Sequence, residues 1–148
     1  THLGNRPLCI MTSHLESTKN CAKERKEQLN QAFNEIKNLG EETTCIFAGD
    51  LNLRDSEVTS LPIDFVDVWE ATGASDVFKY TWDSMRNTNI GFRGPKLRFD
   101  RMYLKSNNDS PPLLQPLEFG LVGIRVLRGK QYFPSDHWGI RALFQVNE

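Results

Sequence analysis

An apolar run, an amphipathic helix and a second apolar run follow one another within the first third of this chain, and that order restricts the fold. Leu8-Cys9-Ile10-Met11-Thr12 is short and apolar and reads as a buried strand beginning near Pro7. Leu29, Ala32, Phe33, Ile36 and Leu39 then fall at i, i+3, i+4, i+7 and i+10, one stripe of a helix. Lys23, Glu24, Lys26 and Glu27 cover its other side, and Gly40 stands where a helix-ending glycine belongs. Thr43 to Ala48, rich in β-branched and aromatic residues, reads as the second strand. Strand, helix, strand predicts an α/β layered fold.

The rest of the chain is looser. Phe65 to Ala71 reads as one or two helical turns ended by Gly73, and Tyr80-Thr81-Trp82 as a short strand. Residues 84 to 96, rich in Asn, Gly and Arg, read as a surface loop, and Asn107 to Pro112 as another. Leu97 to Lys105 alternates as a strand does, and so do Trp138, Ile140, Ala142, Phe144 and Val146 at the end. The chain shows no internal repeat and no low-complexity segment.

With 148 residues, 39% of them hydrophobic, the chain can bury one real core. No apolar run approaches the ~18 residues of a membrane span. The net charge of −1 excludes a generally basic nucleic-acid binder, so any such contact must come from a local patch. Cys9, Cys21 and Cys45 are odd in number, lack metal-ligand spacing and read as reduced intracellular thiols.

Polar residues with chemistry to offer stand beside the apolar runs. In Gly49-Asp50-Leu51-Asn52, an extended backbone would point Asp50 and Asn52 to one side. A carboxylate there can take a proton from water, and an amide can hold that water or a phosphate oxygen. The same residues also suit a plain turn. In Ser135-Asp136-His137, the imidazole can stabilise a charged transition state, with Asp136 fixing its tautomer or lying near a cation; a turn ahead of a strand explains the motif equally. His14 and Ser17 lie between strand and helix, where Ser17 suits a helix N-cap and the helix start suits a phosphate. Asp100, in Arg98-Phe99-Asp100-Arg101, suits a buried acid paired with arginine, or an orienting acid for His137. Trp82 and Phe99 suit the core, or a floor for an unpaired base. Arg54, Arg86, Arg93, Lys96, Arg98 and Arg101 are candidate phosphate contacts.

In the order His14-Leu15-Glu16-Ser17, Gly49-Asp50-Leu51-Asn52-Leu53-Arg54-Asp55, Tyr80-Thr81-Trp82-Asp83, Leu97-Arg98-Phe99-Asp100-Arg101 and Ser135-Asp136-His137-Trp138-Gly139, the set resembles the exonuclease–endonuclease–phosphatase superfamily. With Val66-Asp67-Val68-Trp69-Glu70 and Phe133-Pro134, the resemblance narrows to its 5′-tyrosyl-DNA phosphodiesterase branch. It implies a DNase I-like four-layer α/β sandwich, of which residues 1–148 would be the second half. It implies hydrolysis, in DNA repair, of the bond between a DNA 5′ end and a trapped topoisomerase II tyrosine. Asp50 would be the acid/base. Asn52 and His137 would bind the scissile phosphate beside His14, and Asp136 would support His137 and reach the metal through water. Leu15, Glu16, Ser17, Thr18, Lys19, Leu53 and Arg54 would line the 5′ end, with Trp82 and Phe99 as an apolar wall. The cofactor would be Mg²⁺, replaceable by Mn²⁺, with its main Glu ligand outside these residues. The isolated segment is therefore expected to be inactive and the whole domain monomeric, nuclear with a cytoplasmic pool, and not membrane-bound. Competing readings are another superfamily phosphodiesterase (abasic endonuclease, deadenylase or inositol phosphatase) and a non-catalytic DNA-end-binding fragment.

Overall fold

Leu8 to Thr12 pair in parallel with Thr44 to Ala48, residue for residue. Parallel neighbours need a crossover connection, and here the amphipathic helix supplies it. The computed structural model describes residues 1–147. Strands β1 (His2–Leu3) and β2 (Arg6–Thr12) lead into α1 (Ala22–Lys37) and β3 (Thr44–Asp50). Then come β4 (Phe65–Asp67), α2 (Val68–Ala71), β5 (Trp82–Asp83), β6 (Lys96–Leu97), β7 (Asp100–Lys105), β8 (Leu114–Val122) and β9 (Gly139–Val146). The main sheet has the order β1-β2-β3-β7-β4, and β5–β6 and β8–β9 form two-stranded sheets.

The main sheet is covered on both faces. On one, Leu29, Phe33 and Ile36 of α1 pack on Cys45, Phe47, Phe65 and Tyr103. Phe33 is the hub, its ring 4.7 Å from Phe65 and 5.4 Å from Tyr103. On the other, Val68, Trp69 and Leu104 pack on Leu113, Leu114 and Phe119, with Ile140, Ala142 and Phe144 of β9. Helix, sheet and second sheet are thus stacked as layers of an α/β sandwich. Among the described residues no helix is long and apolar enough to cross a membrane. All three cysteines are free thiols; burial and its neighbour Cys9 push Cys45 up to about 12.

Several sequence expectations change. Helix α1 ends at Lys37, so Leu39 leaves the stripe and stands exposed. Its N-cap is Cys21, with no side-chain cap, so Ser17 does not cap it. The buried position one turn before Leu29 is Arg25, a charge that apolar periodicity does not count. Phe65–Asp67 is a strand, because it pairs with β7; helix begins only at Val68, where the Asp67 side chain accepts from the Trp69 N–H. The expected strand from Leu97 to Lys105 breaks at Arg98 and Phe99. Trp138 is buried but precedes β9. Strand β8 has no counterpart in the periodicity, since Pro116, Gly120 and a register shift at Pro116/Glu118 interrupt its alternation.

Candidate active site

Strand β3 runs out of the core and ends at Asp50, which lies opposite Asp100, the first residue of β7. Two carboxylates facing each other across a ladder repel. His137 compensates them. Its Nδ1 is 2.7 Å from Asp100 Oδ2, and its Nε2 is 3.8 Å from Asp50 Oδ2. A second imidazole approaches from the end of β2, with His14 Nε2 3.5 Å from the same Asp50 oxygen. The His14 side chain is 70% exposed, that of Asp50 24% and that of His137 23%, so the cluster opens to solvent on the His14 side.

Backbone bonds fix this geometry. The Leu15 N–H donates to the Asp50 carbonyl (3.1 Å) and the Leu51 N–H to that of Phe99 (3.0 Å). Buried Thr81 ties three motifs together. Its hydroxyl oxygen accepts from the Phe99 and Asp100 N–H groups, and its carbonyl accepts from the Trp138 N–H at 2.7 Å. Ser135 Oγ accepts from the His137 N–H, and the Asn87 amide holds the Ser135 carbonyl at 2.9 Å. Gly49 is demanded by a close approach: a Cβ there would lie 2.1 Å from the Ser13 carbonyl oxygen.

Burial, the charge of Asp100 and lack of full compensation raise the Asp50 carboxyl above its ordinary range; His137, the Asn52 N–H and His14 pull the other way. Burial works to lower the His137 imidazole, but the Asp100 hydrogen bond and the charges of Asp100 and Asp50 outweigh it and raise it. A base of raised basicity beside an imidazole biased toward its charged form can take a proton from water and neutralise charge on an oxyanion.

The site residues named from sequence divide into groups. Asp50, His137 and His14 converge. Asn52 does not share Asp50's extended backbone, because its φ is +50°. It is buried, and its amide donates to the Leu15 carbonyl at 3.1 Å. Asp136 does not support His137 through a hydrogen bond: its carboxylate accepts from Ser135 Oγ, and Asp100 takes the supporting place. Leu15 and Leu53 are core residues and offer backbone rather than side chains. Glu16, Ser17, Thr18 and Lys19 form an exposed rim. Arg98 and Arg101 are not free for phosphate; they pair with Asp67 (2.6 Å) and Asp55 (2.8 Å). Arg54 lies over the Phe99 ring, 5.4 Å from its centroid. Phe99 stacks on His137 (6.1 Å, 26°) and touches Trp82 (6.0 Å), so the aromatic wall adjoins the cluster. Thr81 and Asn87 escaped sequence reading; buried neutral polar side chains carry no periodic signal.

Asp50, Asp100 and His137 each offer one ligand atom within 4.8 Å of the others, the single such group among the described residues, and could hold a metal ion. His137 Nδ1 and Asp100 Oδ2 are already hydrogen-bonded to each other. Magnesium prefers oxygen ligands in near-octahedral array. The trio therefore fits a proton relay better than a magnesium cage.

These features define a DNase I-like α/β fold of the endonuclease/exonuclease/phosphatase type. A family protein of that description from Bacteroides thetaiotaomicron superposes with a TM-score of 0.62 over 94% of this chain and 50% of its own, at 17% identity, a likeness of fold alone. No family model matches the chain. Within the class, the chain is similar over nearly its whole length to tyrosyl-DNA phosphodiesterase 2. That protein of Gallus gallus is 42% identical over 149 residues, 98% of this chain and 40% of the relative. That of Homo sapiens is 43% identical over 143 residues, 94% and 39% respectively. The crystal structure of the D. rerio protein complexed with single strand DNA product matches at TM-score 0.86 and 41% identity, covering 93% of this chain and 56% of that one. The chain spans about two fifths of the length of the curated relatives it matches.

Proposed function

We propose that these 148 residues are the C-terminal half of the catalytic domain of a phosphodiesterase that releases tyrosine from DNA 5′ ends, of the kind topoisomerase II leaves behind. The observation that carries the proposal is the Asp50–His137–Asp100 cluster with the Phe99–Trp82 wall at its side.

In this reading Asp50 takes a proton from water as the water oxygen attacks phosphorus. The bond from phosphorus to the tyrosyl oxygen breaks, leaving a 5′-phosphate on DNA and tyrosine. A phenol, with a pKa near 10, is a good leaving group and needs little protonation. His137, whose charged form Asp100 and Asp50 favour, neutralises the phosphoryl oxygens. Arg54 and the exposed rim from Glu16 to Lys19 face the strand. Magnesium, if resident, would neutralise phosphate charge; in this reading an acid outside the chain supplies its main ligand. A DNA substrate of this kind implies action in the nucleus, beside a cytoplasmic pool.

The test is release of tyrosine from a 5′-tyrosyl oligonucleotide by the full-length protein that carries this chain. Asp50→Asn should abolish release and leave oligonucleotide binding intact. Cleavage of an abasic-site duplex or a polyadenylate in preference would favour another member of the class.

A further inference from the structure

Thr81 holds both members of the Asp100–His137 pair, one through its side chain and the other through its backbone. Strand β6 ends at Leu97 and β7 starts at Asp100, so regular pairing is interrupted just before the carboxylate that His137 meets. The N–H groups of Phe99 and Asp100 donate to the Thr81 hydroxyl oxygen at 3.1 and 3.0 Å. A hydroxyl oxygen has two lone pairs, and both are used here. The Thr81 carbonyl accepts from the N–H of Trp138, the residue after His137, at 2.7 Å.

The other side of His137 is tied to the same segment. The Asn87 amide donates to the Ser135 carbonyl at 2.9 Å. A closed turn joins Thr81 to Asn87. The Asp83 carboxylate accepts from the Met85 N–H at 2.9 Å, and its carbonyl accepts from the Arg86 and Asn87 N–H groups at 3.2 and 2.9 Å. Thr81, Asp83 and Asn87 are all buried. Imidazole and carboxylate, 37 residues apart in the chain, thus hang from one short frame. Thr81 is 0% exposed, so bulk water does not stand in for its hydroxyl. Removing that oxygen leaves two adjacent buried N–H groups without an acceptor, which is costly enough to move the chain that carries them.

We infer that Thr81 is a positioning residue for the proposed hydrolysis, acting through Asp100: its hydroxyl and its carbonyl together set the separation between that carboxylate and the His137 imidazole. This rests on the proposed function and adds to it a residue that, being fully buried, works without touching the substrate.

The experiment follows tyrosine release from a 5′-tyrosyl oligonucleotide by the full-length protein that carries this chain. It compares Thr81→Val, Thr81→Ser, Asp100→Asn and the Thr81→Val/Asp100→Asn pair, with rates taken per folded molecule. Thr81→Val keeps the shape and the carbonyl and loses only the hydroxyl. It should lower kcat about tenfold or more and change KM about threefold at most, since small misplacements at a reacting centre cost this much. Thr81→Ser should restore most of the rate. In the Asp100→Asn background, Thr81→Val should cost about twofold or less, because the group it positions is already disabled. Amide hydrogen exchange should quicken at Phe99 and Asp100 and stay slow at Trp138. If Thr81→Val does not fold, Thr81→Ala loses the same hydroxyl and carries the same expectations. An unchanged kcat, a serine variant as slow as the valine one, or a full further loss in the Asp100→Asn background overturns the inference, because Thr81 would then serve packing alone or act elsewhere. If the unaltered protein releases no tyrosine, the proposed function falls and this inference with it; if it does and Thr81→Val keeps its rate, only this inference falls.

Discussion

Asp100 Oδ2 lies 2.7 Å from Nδ1 of His137, although the residue just before His137 is itself an aspartate. The neighbour in sequence, Asp136, points to Ser135 instead. The strand pairing explains the choice. Asp100 sits at the end of β7 opposite Asp50, so an imidazole placed between them meets two carboxylates at once. Asp100→Asn should therefore lower the titration midpoint of His137 further than Asp136→Asn does. Imidazole proton shifts followed by NMR over pH decide it. A larger fall for Asp136→Asn would reverse the assignment. In the full-length protein, Asp100→Asn should also cost turnover, as loss of an orienting acid does in hydrolytic triads.

The pH dependence follows from the same pair. Asp50 must be ionised to act as base, and its carboxyl is raised by burial and by Asp100. His137 must be charged, and Asp100 and Asp50 raise it despite burial. The acid limb of the rate profile should thus lie above the usual carboxylate range, and the alkaline limb above the usual imidazole value. Asp50→Asn should reduce turnover by roughly 10²–10⁴-fold and remove the acid limb. For stability both groups have raised folded values, so each contributes most below its unfolded value and loses that contribution as pH rises through its folded one. Melting temperatures from pH 4 to 9 test that sign.

The sequence made the first half of the fold legible because β2, α1 and β3 each carry a clean period, and their order leaves one sensible arrangement. It made Asp50, His137 and His14 legible because each follows an apolar run and their motifs resemble one family. Asn52 misled because the extended-strand assumption ends at Asp50, one residue before the turn. Of the two acids offered from sequence as supports for His137, Asp100 makes the hydrogen bond, while the Asp136 carboxylate accepts from Ser135 Oγ. Strand β8 was hidden by a proline, a glycine and a bulge that break alternation without breaking the pairing.

Gly49 tests how tightly the cluster is built. Its Cα passes the end of β2 so closely that a methyl group would lie 2.1 Å from the Ser13 carbonyl oxygen, a backbone atom with no flexible end to move. Gly49→Ala should force β2 and β3 apart next to Asp50 and His14. We expect a loss of about 1–3 kcal/mol or more in urea unfolding, the usual cost of overpacking. An unchanged midpoint would mean that the two strand ends shift freely.

Trp82 separates a binding role from a packing role. It is half-buried, with Phe99 and Phe92 as ring neighbours. If a base stacks there, Trp82→Ala should weaken single-strand binding by about 1–3 kcal/mol with a small change in melting temperature. If the ring serves only the core, stability should fall by about 3–5 kcal/mol. Measuring both quantities on one preparation distinguishes the two.

Arg25 is the buried charge that holds the rim in place. Its Nε and Nη2 grip Glu57 at 2.9 and 2.7 Å, while Nη1 donates to the carbonyls of Glu16 and Thr18 at 2.8 and 2.9 Å. Glu57 in turn accepts from the Arg54 N–H. One guanidinium thus fastens both segments proposed to line the DNA end. A lysine has no planar fork and cannot make these contacts together. Arg25→Lys should therefore destabilise, approaching the ~3–5 kcal/mol of a broken buried pair. Burial works to raise the Glu57 carboxyl, but Arg25 and the Arg54 N–H outweigh it and hold it below its ordinary range. A lowered folded value means that its contribution is present above the unfolded value near 4.3 and is lost as pH falls through the folded one. Glu57→Gln should accordingly flatten the fall in stability below about pH 4.3 that the unaltered protein shows, which acid titration of the unfolding midpoint would reveal. A curve that keeps its slope in the Gln variant would show that Glu57 and Arg25 are not coupled in this way.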